Sequence, residues 1–221
     1  LSVANRDIRR CELMTRIRGC EEYAQQNQHV GVFFTLTCPS RFHAMHAPKH
    51  RGARATKNKN YDGSTPSEAQ KWLCAMWARA RAKLARMKLL MYGFRVAEPH
   101  HDGCPHWHAL LWFSDAAAAQ KAVEVVTKYW LSDGGSERGA QDNRVNAKTM
   151  TSGGAAGYIA KYVAKNIGGA IDVGAHMDGT GGAQTEAFAV ETGAVQGYQR
   201  VDAWAATWGI RQFQALGQPP V

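Results

Sequence analysis

The 221-residue chain lacks the features that mark several large classes of protein. It contains no apolar run of about eighteen residues or more, so we expect no membrane-spanning helix. It also contains no GxxxxGK(S/T) phosphate loop and no internal repeat, so nothing indicates an ATPase. The first residue is Leu1, with no initiator methionine and no signal-peptide pattern, and we therefore expect a piece of a longer protein.

Cysteines are few and show no pairing pattern. The five cysteines are an odd number, and no two of them form a CxxC pair. A disulfide framework would favour an even number at regular spacing. We therefore expect free thiols in a reducing cytoplasm.

Positive charge is concentrated in one segment of the chain. The net charge is +9, and the segment from Arg41 to Lys88 has twelve Lys or Arg against two acids, a balance of +10. The rest of the chain therefore sums to −1. A basic segment on an otherwise neutral body predicts a polyanionic partner, with nucleic acid favoured. A solvated surface and a membrane-surface patch are the alternatives.

Hydrophobic periodicity predicts an α+β domain. Helices are expected over 4–28, 67–88, 115–131, 154–166 and 198–215, and strands over 30–37, 90–98, 105–113 and 144–150. This order favours a central, mainly antiparallel sheet flanked by helices. Ser67 with Gln70 is the expected N-terminal cap of the second helix, and Ser114 or Asp115 that of the third.

The same pattern predicts the domain organisation. We expect a single domain across residues 1–221, with its core at about 28–170. Residues 38–65 lack periodicity and predict a long loop, which in a compact domain is usually functional or mobile. The Gly-rich segment 171–197 predicts a mobile linker, and 198–221 a C-terminal helical segment.

A histidine pair lies on the predicted strand 105–113. Side-chain alternation places His106 and His108 on one face of that strand. The preceding strand forms a hairpin with it, and in the simplest register Glu98 lies opposite His106. Two imidazoles and a carboxylate with open positions are typical of a catalytic metal site. Half-buried histidines without a metal are the plain alternative, and a zinc site in the turn is another, with ligands His100, His101 and Cys104.

The predicted helix 154–166 carries a second chemical pattern. Tyr158, Lys161, Tyr162 and Lys165 are spaced i, i+3, i+4 and i+7, so they share one helix face. The opposite face is apolar and can pack on the sheet. A phenol has a pKa near ~10, so neighbouring ammonium groups would help to form a phenolate nucleophile. An amphipathic helix with exposed tyrosines and lysines is the alternative.

Three segments together resemble the HUH endonucleases, specifically the two-tyrosine phage replication gene A protein family. Residues 33–37 (FFTLT) resemble the first motif of that superfamily, and residues 98–108 (EPHHDGCPHWH) resemble its histidine–hydrophobe–histidine motif with the upstream acid. Residues 158–165 (YIAKYVAK) resemble the nucleophile helix. The flanks at 9–19 and 204–214 resemble the family as well, so the likeness covers nearly the whole chain.

The resemblance implies an HUH fold with a ferredoxin- or RRM-like core, and initiation of rolling-circle replication of phage DNA in the cytoplasm of a bacterial host. One of Tyr158 and Tyr162 would attack a scissile phosphate at an origin, which forms a 5′-phosphotyrosine and leaves a 3′-OH for a polymerase. The other would act when the circle is completed, so that the ends are rejoined. The family pattern does not assign the order of the two tyrosines.

The resemblance also implies the cofactor and the partners. Glu98, His106 and His108 would bind Mg²⁺ or Mn²⁺, while Lys161 and Lys165 would contact the phosphate or the phenolate. The implied partners are single-stranded DNA at a replication origin and the host replicative helicase and polymerase, with no membrane.

Other residues are expected to serve DNA binding or the core. Contacts to the DNA backbone are expected from the basic residues of the long loop, namely Arg41, Lys49, Arg51, Arg54, Lys57 and Lys59. A basic loop without a defined role is the alternative. Trp72, Trp77, Trp204 and Trp208 have helical spacing, which favours the core over base stacking. Thr35 and Thr37 are expected to serve the strand rather than the chemistry.

Three other functions stay open at this point. A conjugative relaxase or a single-strand transposase would share the chemistry, although the flanking resemblance disfavours both. A non-enzymatic basic module would bind nucleic acid without forming a covalent adduct. A zinc hydrolase with the same Glu98, His106 and His108 would not need either tyrosine.

Overall fold

A computed structural model of the chain describes residues 6–47, 50, 53–150, 154–167 and 194–217. The helices are α1 (Arg6–Gln26), α2 (Pro66–Arg86), α3 (Ala116–Trp130), α4 (Ala140–Asn143), α5 (Ala155–Ile167) and α6 (Ala194–Trp208). The strands are β1 (Val30–Leu36), β2 (Met45–His46), β3 (Thr56–Lys57), β4 (Met91–Pro99), β5 (Pro105–Phe113), β6 (Val145–Met150) and β7 (Phe213–Leu216). No helix within these ranges is long and apolar enough to cross a bilayer.

The central sheet has five strands in the order β6-β1-β5-β4-β7. Each neighbouring pair is antiparallel, which confirms the predicted α+β fold with a sheet flanked by helices. The central strand β5 is buried along its whole length, because helices cover both faces of the sheet. Such a strand pairs with a neighbouring strand on each side and is packed by helices on each face, so its side chains have well-defined positions.

Side-chain alternation divides the interior into two layers. On β1, Val32, Phe34 and Leu36 face a core shared with α2 and α3. Phe33 points to the other face, into a core shared with α1 and α5. The period of two along a strand produces this division. The two layers matter for function because the predicted tyrosine helix lies over only one of them.

Four sequence-based expectations were wrong or incomplete. Thr65 caps α2, with a capping box to Glu68 and Pro66 in the first helical position, so Ser67 and Gln70 are not the cap. The expected loop 38–65 contains a 3-10 turn (Ser40–Phe42) and the β2–β3 hairpin. The short helix α4 was not foreseen.

The C-terminal segment also differs from its prediction. The helix ends at Trp208, and Phe213–Leu216 forms strand β7, which pairs with β4. Sheet pairing with a distant strand overrides the weak helical periodicity of these residues. The predicted linker 171–197 lies outside the described residues except for its last four, which begin α6.

Gly93 allows a close approach between β4 and β5. Its φ is +150°, and a Cβ atom built there would overlap the carbonyl oxygen of Leu110. We expect Gly93→Ala to lower the free energy of unfolding by about 2 to 3 kcal/mol through overpacking and backbone strain. Thermal unfolding followed by circular dichroism should show a melting temperature lower by roughly 5 to 10 °C.

A matched glycine provides the control. Gly19 lies on the exposed side of α1, and a Cβ there would meet nothing within 4 Å. Gly19→Ala should stabilise the helix by about 0.5 to 1 kcal/mol. Equal melting temperatures for the two variants would contradict this assignment.

Candidate functional site

The β4–β5 hairpin brings together the three predicted metal ligands. Glu98 pairs with His106 across the two strands, as the simplest register predicted. Two residues further along β5, His108 points to the same face because side chains alternate along a strand. All three side chains are buried, with 6%, 2% and 3% of the surface of Glu98, His106 and His108 exposed.

The donor atoms of these residues converge on one point. The Nε2 atoms of His106 and His108 are 2.8 Å apart. The Oε2 atom of Glu98 lies 4.0 Å from Nε2 of His106 and 3.6 Å from Nε2 of His108. A buried carboxylate and two converging imidazoles are costly unless something binds them, and a divalent cation fits this donor set.

The competing zinc site does not form. Among the described residues, Glu98, His106 and His108 are the one group of three or more potential ligands close enough to share an ion. His100 instead packs its ring against that of His106, with the centroids 4.1 Å apart. The turn residues therefore support the ligands rather than forming a separate site.

Thr35 fixes the orientation of one ligand. Its Oγ1 lies 3.2 Å from Nδ1 of His108. With Nε2 of His108 facing the shared point, the Nδ1–H group donates to the Thr35 hydroxyl, an arrangement common around metal-binding histidines. Thr35 is part of strand β1, as predicted, and it also contacts a predicted ligand, which its position opposite His108 in the sheet explains.

The tyrosine helix α5 lies over the same face of the sheet. The ring of Tyr162 stacks on that of His108, with centroids 4.0 Å apart and 29° between the ring planes. Phe33 contacts both phenols, at 4.6 Å from Tyr158 and 5.4 Å from Tyr162. Burial, together with the neighbouring Tyr158 and Glu98, raises the pKa of the Tyr162 phenol. The structure thus places Tyr162 in contact with the predicted ligand His108, and Tyr158 next to Tyr162 with 6.1 Å between the ring centroids.

Strand β6 supplies a cation near one of the phenols. The Nζ atom of Lys148, on β6, lies 5.8 Å from the centre of the Tyr158 ring, a contact that sequence reasoning missed. Lys148 pairs with Phe33 across β1 and β6, so only the strand order reveals it. Lys161 and Lys165 belong to α5, but their side chains lie outside the described residues.

A buried ion pair links the long loop to the turn beside the site. The Oδ2 atom of Asp102 lies 3.2 Å from Nδ1 of His43, and the Asp102 side chain is fully buried. Burial alone would lower the pKa of His43, but its bonds and charge interactions with Asp102 and Cys104 outweigh burial and raise the pKa to about 10. His43 in turn contacts His100, with ring centroids 5.1 Å apart. The loop is therefore anchored one ring away from His106, a predicted metal ligand.

We expect Asp102→Asn to lower the free energy of unfolding by about 3 kcal/mol near pH 6, because it leaves a buried imidazolium without its partner. The raised pKa of His43 adds stability that is complete below its ordinary pKa of about 6.5 and is lost as the pH rises toward 10. The difference in melting temperature between wild type and variant should therefore shrink from roughly 6 to 12 °C at pH 6 as the pH approaches 10. Asp142→Asn, at an exposed acid on α4, is the control, and a pH-independent difference for Asp102→Asn would contradict the pair.

The predicted DNA-binding residues fall into two groups. The Arg41 guanidinium binds both carboxylate oxygens of Asp133 at 2.8 Å and lies 3.4 Å from Asp62, so this arginine holds the loop to the end of α3. Arg54, Lys57 and Lys59 are exposed on or beside β3. Lys49 and Arg51 lie outside the described residues.

The predicted core tryptophans behave as expected. Trp77 is buried, and Trp72, Trp204 and Trp208 pack against the same core. Trp72 also donates from Nε1 to Asp133 at 2.8 Å, and Trp204 donates to the carbonyl of Gly103 at 2.9 Å. Their indole groups therefore brace the loop and the β4–β5 turn instead of offering a stacking surface.

Comparisons with known proteins identify the family of the chain. A family model described as bacteriophage replication gene A protein matches residues 1–170. The chain is 41% identical over 222 residues to the replication gene A protein of Escherichia phage P2, covering 99% of this chain and 28% of that protein. It is 39% identical over 218 residues to the replication protein of Haemophilus phage HP1, covering 98% of this chain and 26% of that protein.

A bacterial relative extends the comparison. The chain is 33% identical over 223 residues to a probable replication endonuclease from a prophage-like region of Salmonella paratyphi A, covering 99% of this chain and 26% of that protein. The chain thus spans less than a third of the length of each of these relatives. No solved structure matches it. The match to the family model and the identity to these phage proteins show that the chain belongs to the bacteriophage replication gene A protein family.

Proposed function

We propose that the chain is the nicking and joining domain of a phage replication initiator, which cuts and rejoins single-stranded DNA by tyrosine transesterification. The observation that carries this proposal is the stacking of Tyr162 on His108 at 4.0 Å, which places a phenol beside the Glu98–His106–His108 group. A helix that only served the core would not need a phenol beside the one buried cluster of potential ligands found among the described residues. The names of two relatives, a replication protein and a probable replication endonuclease, support the same activity.

The proposed step exchanges one phosphate ester for another. A phenol oxygen of α5 attacks the scissile phosphorus, a bond forms between that oxygen and the 5′-phosphate, and the P–O3′ bond breaks. The phenol loses its proton as the ester forms, and the departing 3′ oxygen gains one. The reaction consumes neither water nor a nucleotide. Because the ester bond is kept, attack by a 3′-OH on the phosphotyrosine reverses the step and rejoins a strand.

The side chains of the site have distinct roles in this step. Glu98, His106 and His108 would hold Mg²⁺ or Mn²⁺, which when bound supplies positive charge to polarise the phosphate. Phe33 holds both phenol rings over the sheet. Lys148 is placed to balance negative charge near Tyr158, and we assign Lys161 and Lys165 the same role from their positions on α5.

Two phenols on one helix suit a reaction with two successive transfers. The first transfer opens an origin and leaves a 3′-OH that a host polymerase extends while a host helicase unwinds the duplex. The second phenol accepts the returning strand end when one circle has been copied. Rolling-circle initiation is therefore the proposed role, with origin single-stranded DNA, helicase and polymerase as the proposed partners.

The test is a covalent-adduct assay. The chain would be incubated with Mn²⁺ and fluorescent single-stranded oligonucleotides that tile the origin region, and the products separated on a denaturing gel. We expect the fragment on the 3′ side of the cut to stay attached to the protein. Tight binding without adduct or cleavage would indicate a non-enzymatic binding module. Cleavage by a variant that lacks both tyrosines would indicate an activated water as the nucleophile instead.

A further inference from the structure

Helix α2 presents a row of cations that the proposed chemistry does not use. Arg79, Lys83 and Arg86 are spaced i, i+4 and i+7, so they lie along one side of the exposed face. All three side chains are exposed, and within the described part of the chain no ion pair involves them. Lys71, Arg81 and Lys88 add further exposed positive charge, and the single acid of the helix, Glu68, is engaged in the N-terminal capping box.

This row lies on the opposite side of the sheet from the tyrosines. The buried face of α2, including Leu73, Ala80 and Leu84, packs in the core layer with α3. Tyr162 and Ile159 of α5 belong to the other layer. Packed layers are about 10 Å apart and a helix is about 10 Å wide, so the row lies on the order of 20 Å from the metal ligands. A DNA strand bound at Tyr162 therefore lies on the other side of the sheet and does not contact these cations directly.

The chemistry of the face identifies its ligand. Between the cations the other exposed positions are small, namely Cys74, Ala75, Ala78, Ala82 and Ala85, so long side chains can extend without obstruction. The tryptophans of the helix, Trp72 and Trp77, are turned into the core and offer no stacking platform for unpaired bases. Exposed Arg and Lys side chains without neighbouring aromatic groups favour contacts to the phosphate backbone, and such contacts carry no sequence information.

The neighbouring helix shows that this charge is not a general property of the surface. On α3 the exposed cations Lys121 and Lys128 are interspersed with the exposed acids Asp115 and Glu124. The two helices pack side by side in the same layer. Of these two adjacent helices, only α2 therefore carries a net positive charge on its exposed face, as a dedicated polyanion surface requires.

We propose that the exposed face of α2 binds the backbone of double-stranded DNA that flanks the cut strand. This inference rests on the proposed function only in taking DNA as the partner. The duplex would run along the exposed face of α2, while the single strand enters the opposite face of the sheet. The protein would thereby hold both sides of a junction between duplex and single strand.

The test compares two-charge variants of adjacent helices. Arg79→Gln with Lys83→Gln is matched by Lys121→Gln with Lys128→Gln, and all four positions are exposed. Binding to a short duplex without origin sequence is measured at several salt concentrations. Loss of two phosphate contacts should lower the slope of log affinity against log salt by about 1.8 for the α2 variant and leave the α3 variant unchanged. Adduct formation on single-stranded oligonucleotides should be the same for wild type and both variants.

The outcomes separate this inference from the proposed function. Equal slopes for wild type and the α2 variant would overturn it, whatever the adduct assay shows. Absence of any adduct with wild type would count against the tyrosine chemistry, while a smaller slope for the α2 variant would still support the duplex surface. Because Met87 and Leu90 are exposed beyond Arg86, anionic vesicles are included as a separate arm. A variant that loses vesicle binding and keeps duplex binding would replace DNA with a membrane surface.

Discussion

Replacing Tyr158 and Tyr162 together with phenylalanine should reduce the covalent protein–DNA adduct by at least about 10³-fold, because it removes both nucleophilic oxygens. Phenylalanine keeps the rings that pack on Phe33 and His108, so the fold and the Glu98–His106–His108 group should be unchanged. The adduct is measured on a denaturing gel, and the melting temperature confirms that the variant is folded.

The single variants should differ from each other. Tyr162 stacks on a metal ligand, whereas Tyr158 lies farther out, between Phe33 and Lys148. We therefore expect Tyr162→Phe to reduce the first cleavage more than Tyr158→Phe. Tyr23→Phe, at a half-exposed tyrosine of α1, is the matched control and should leave the adduct unchanged. Adduct formation at the wild-type rate by the double variant would rule out both residues as nucleophiles.

Removing the metal ligands should have an effect of similar size. His106→Ala with His108→Ala deletes two of three donors, and we expect adduct formation to fall by at least about 10³-fold with Mn²⁺ present. The wild type should gain about 2.7 kcal/mol of stability at a Mn²⁺ concentration 100 times its dissociation constant, because only the folded state binds the ion. The variant should show no such gain in thermal unfolding.

A substitution of Thr35 tests the same site without deleting a predicted ligand. Thr35→Val removes the hydroxyl that accepts from Nδ1 of His108, and the Mn²⁺ affinity should weaken by roughly 10- to 100-fold. At saturating Mn²⁺ the adduct yield should recover, which distinguishes a positioning role from a catalytic one. Thr37→Val is the control, since its hydroxyl donates to the carbonyl of Asn143 and touches no ligand. Equal Mn²⁺ affinities for the two threonine variants would contradict the role of Thr35.

The parts of the site that the sequence predicts are those governed by local rules. The turn length and the two-residue period fix Glu98 opposite His106, so the ligand group follows from a single hairpin. Helical spacing likewise places Tyr158 and Tyr162 on one face of α5. That this face would lie over His108 was implied by the family resemblance and not by the spacing.

The parts that escaped prediction depend on contacts between distant segments. Lys148 reaches Tyr158 only because β6 pairs with β1, and Arg41 is bound by Asp133, ninety-two residues away along the chain. β7 forms because β4 offers a free edge, and its own residues carry little strand signal. Pairings of this kind are set by the assembled sheet, which no window of sequence contains.

The position of β5 in the middle of the sheet has a consequence for how the site fails. Its backbone amides are paired with β1 on one side and β4 on the other, so they exchange with solvent only when the sheet as a whole opens. The amide of His108, which lies opposite Thr35 on one side and Val96 on the other, should thus rank among the slowest to exchange deuterium. Its exchange should be no faster than global unfolding allows. Heating should accordingly leave the ligand geometry intact until the cooperative transition, where ion binding and tertiary structure disappear in one step.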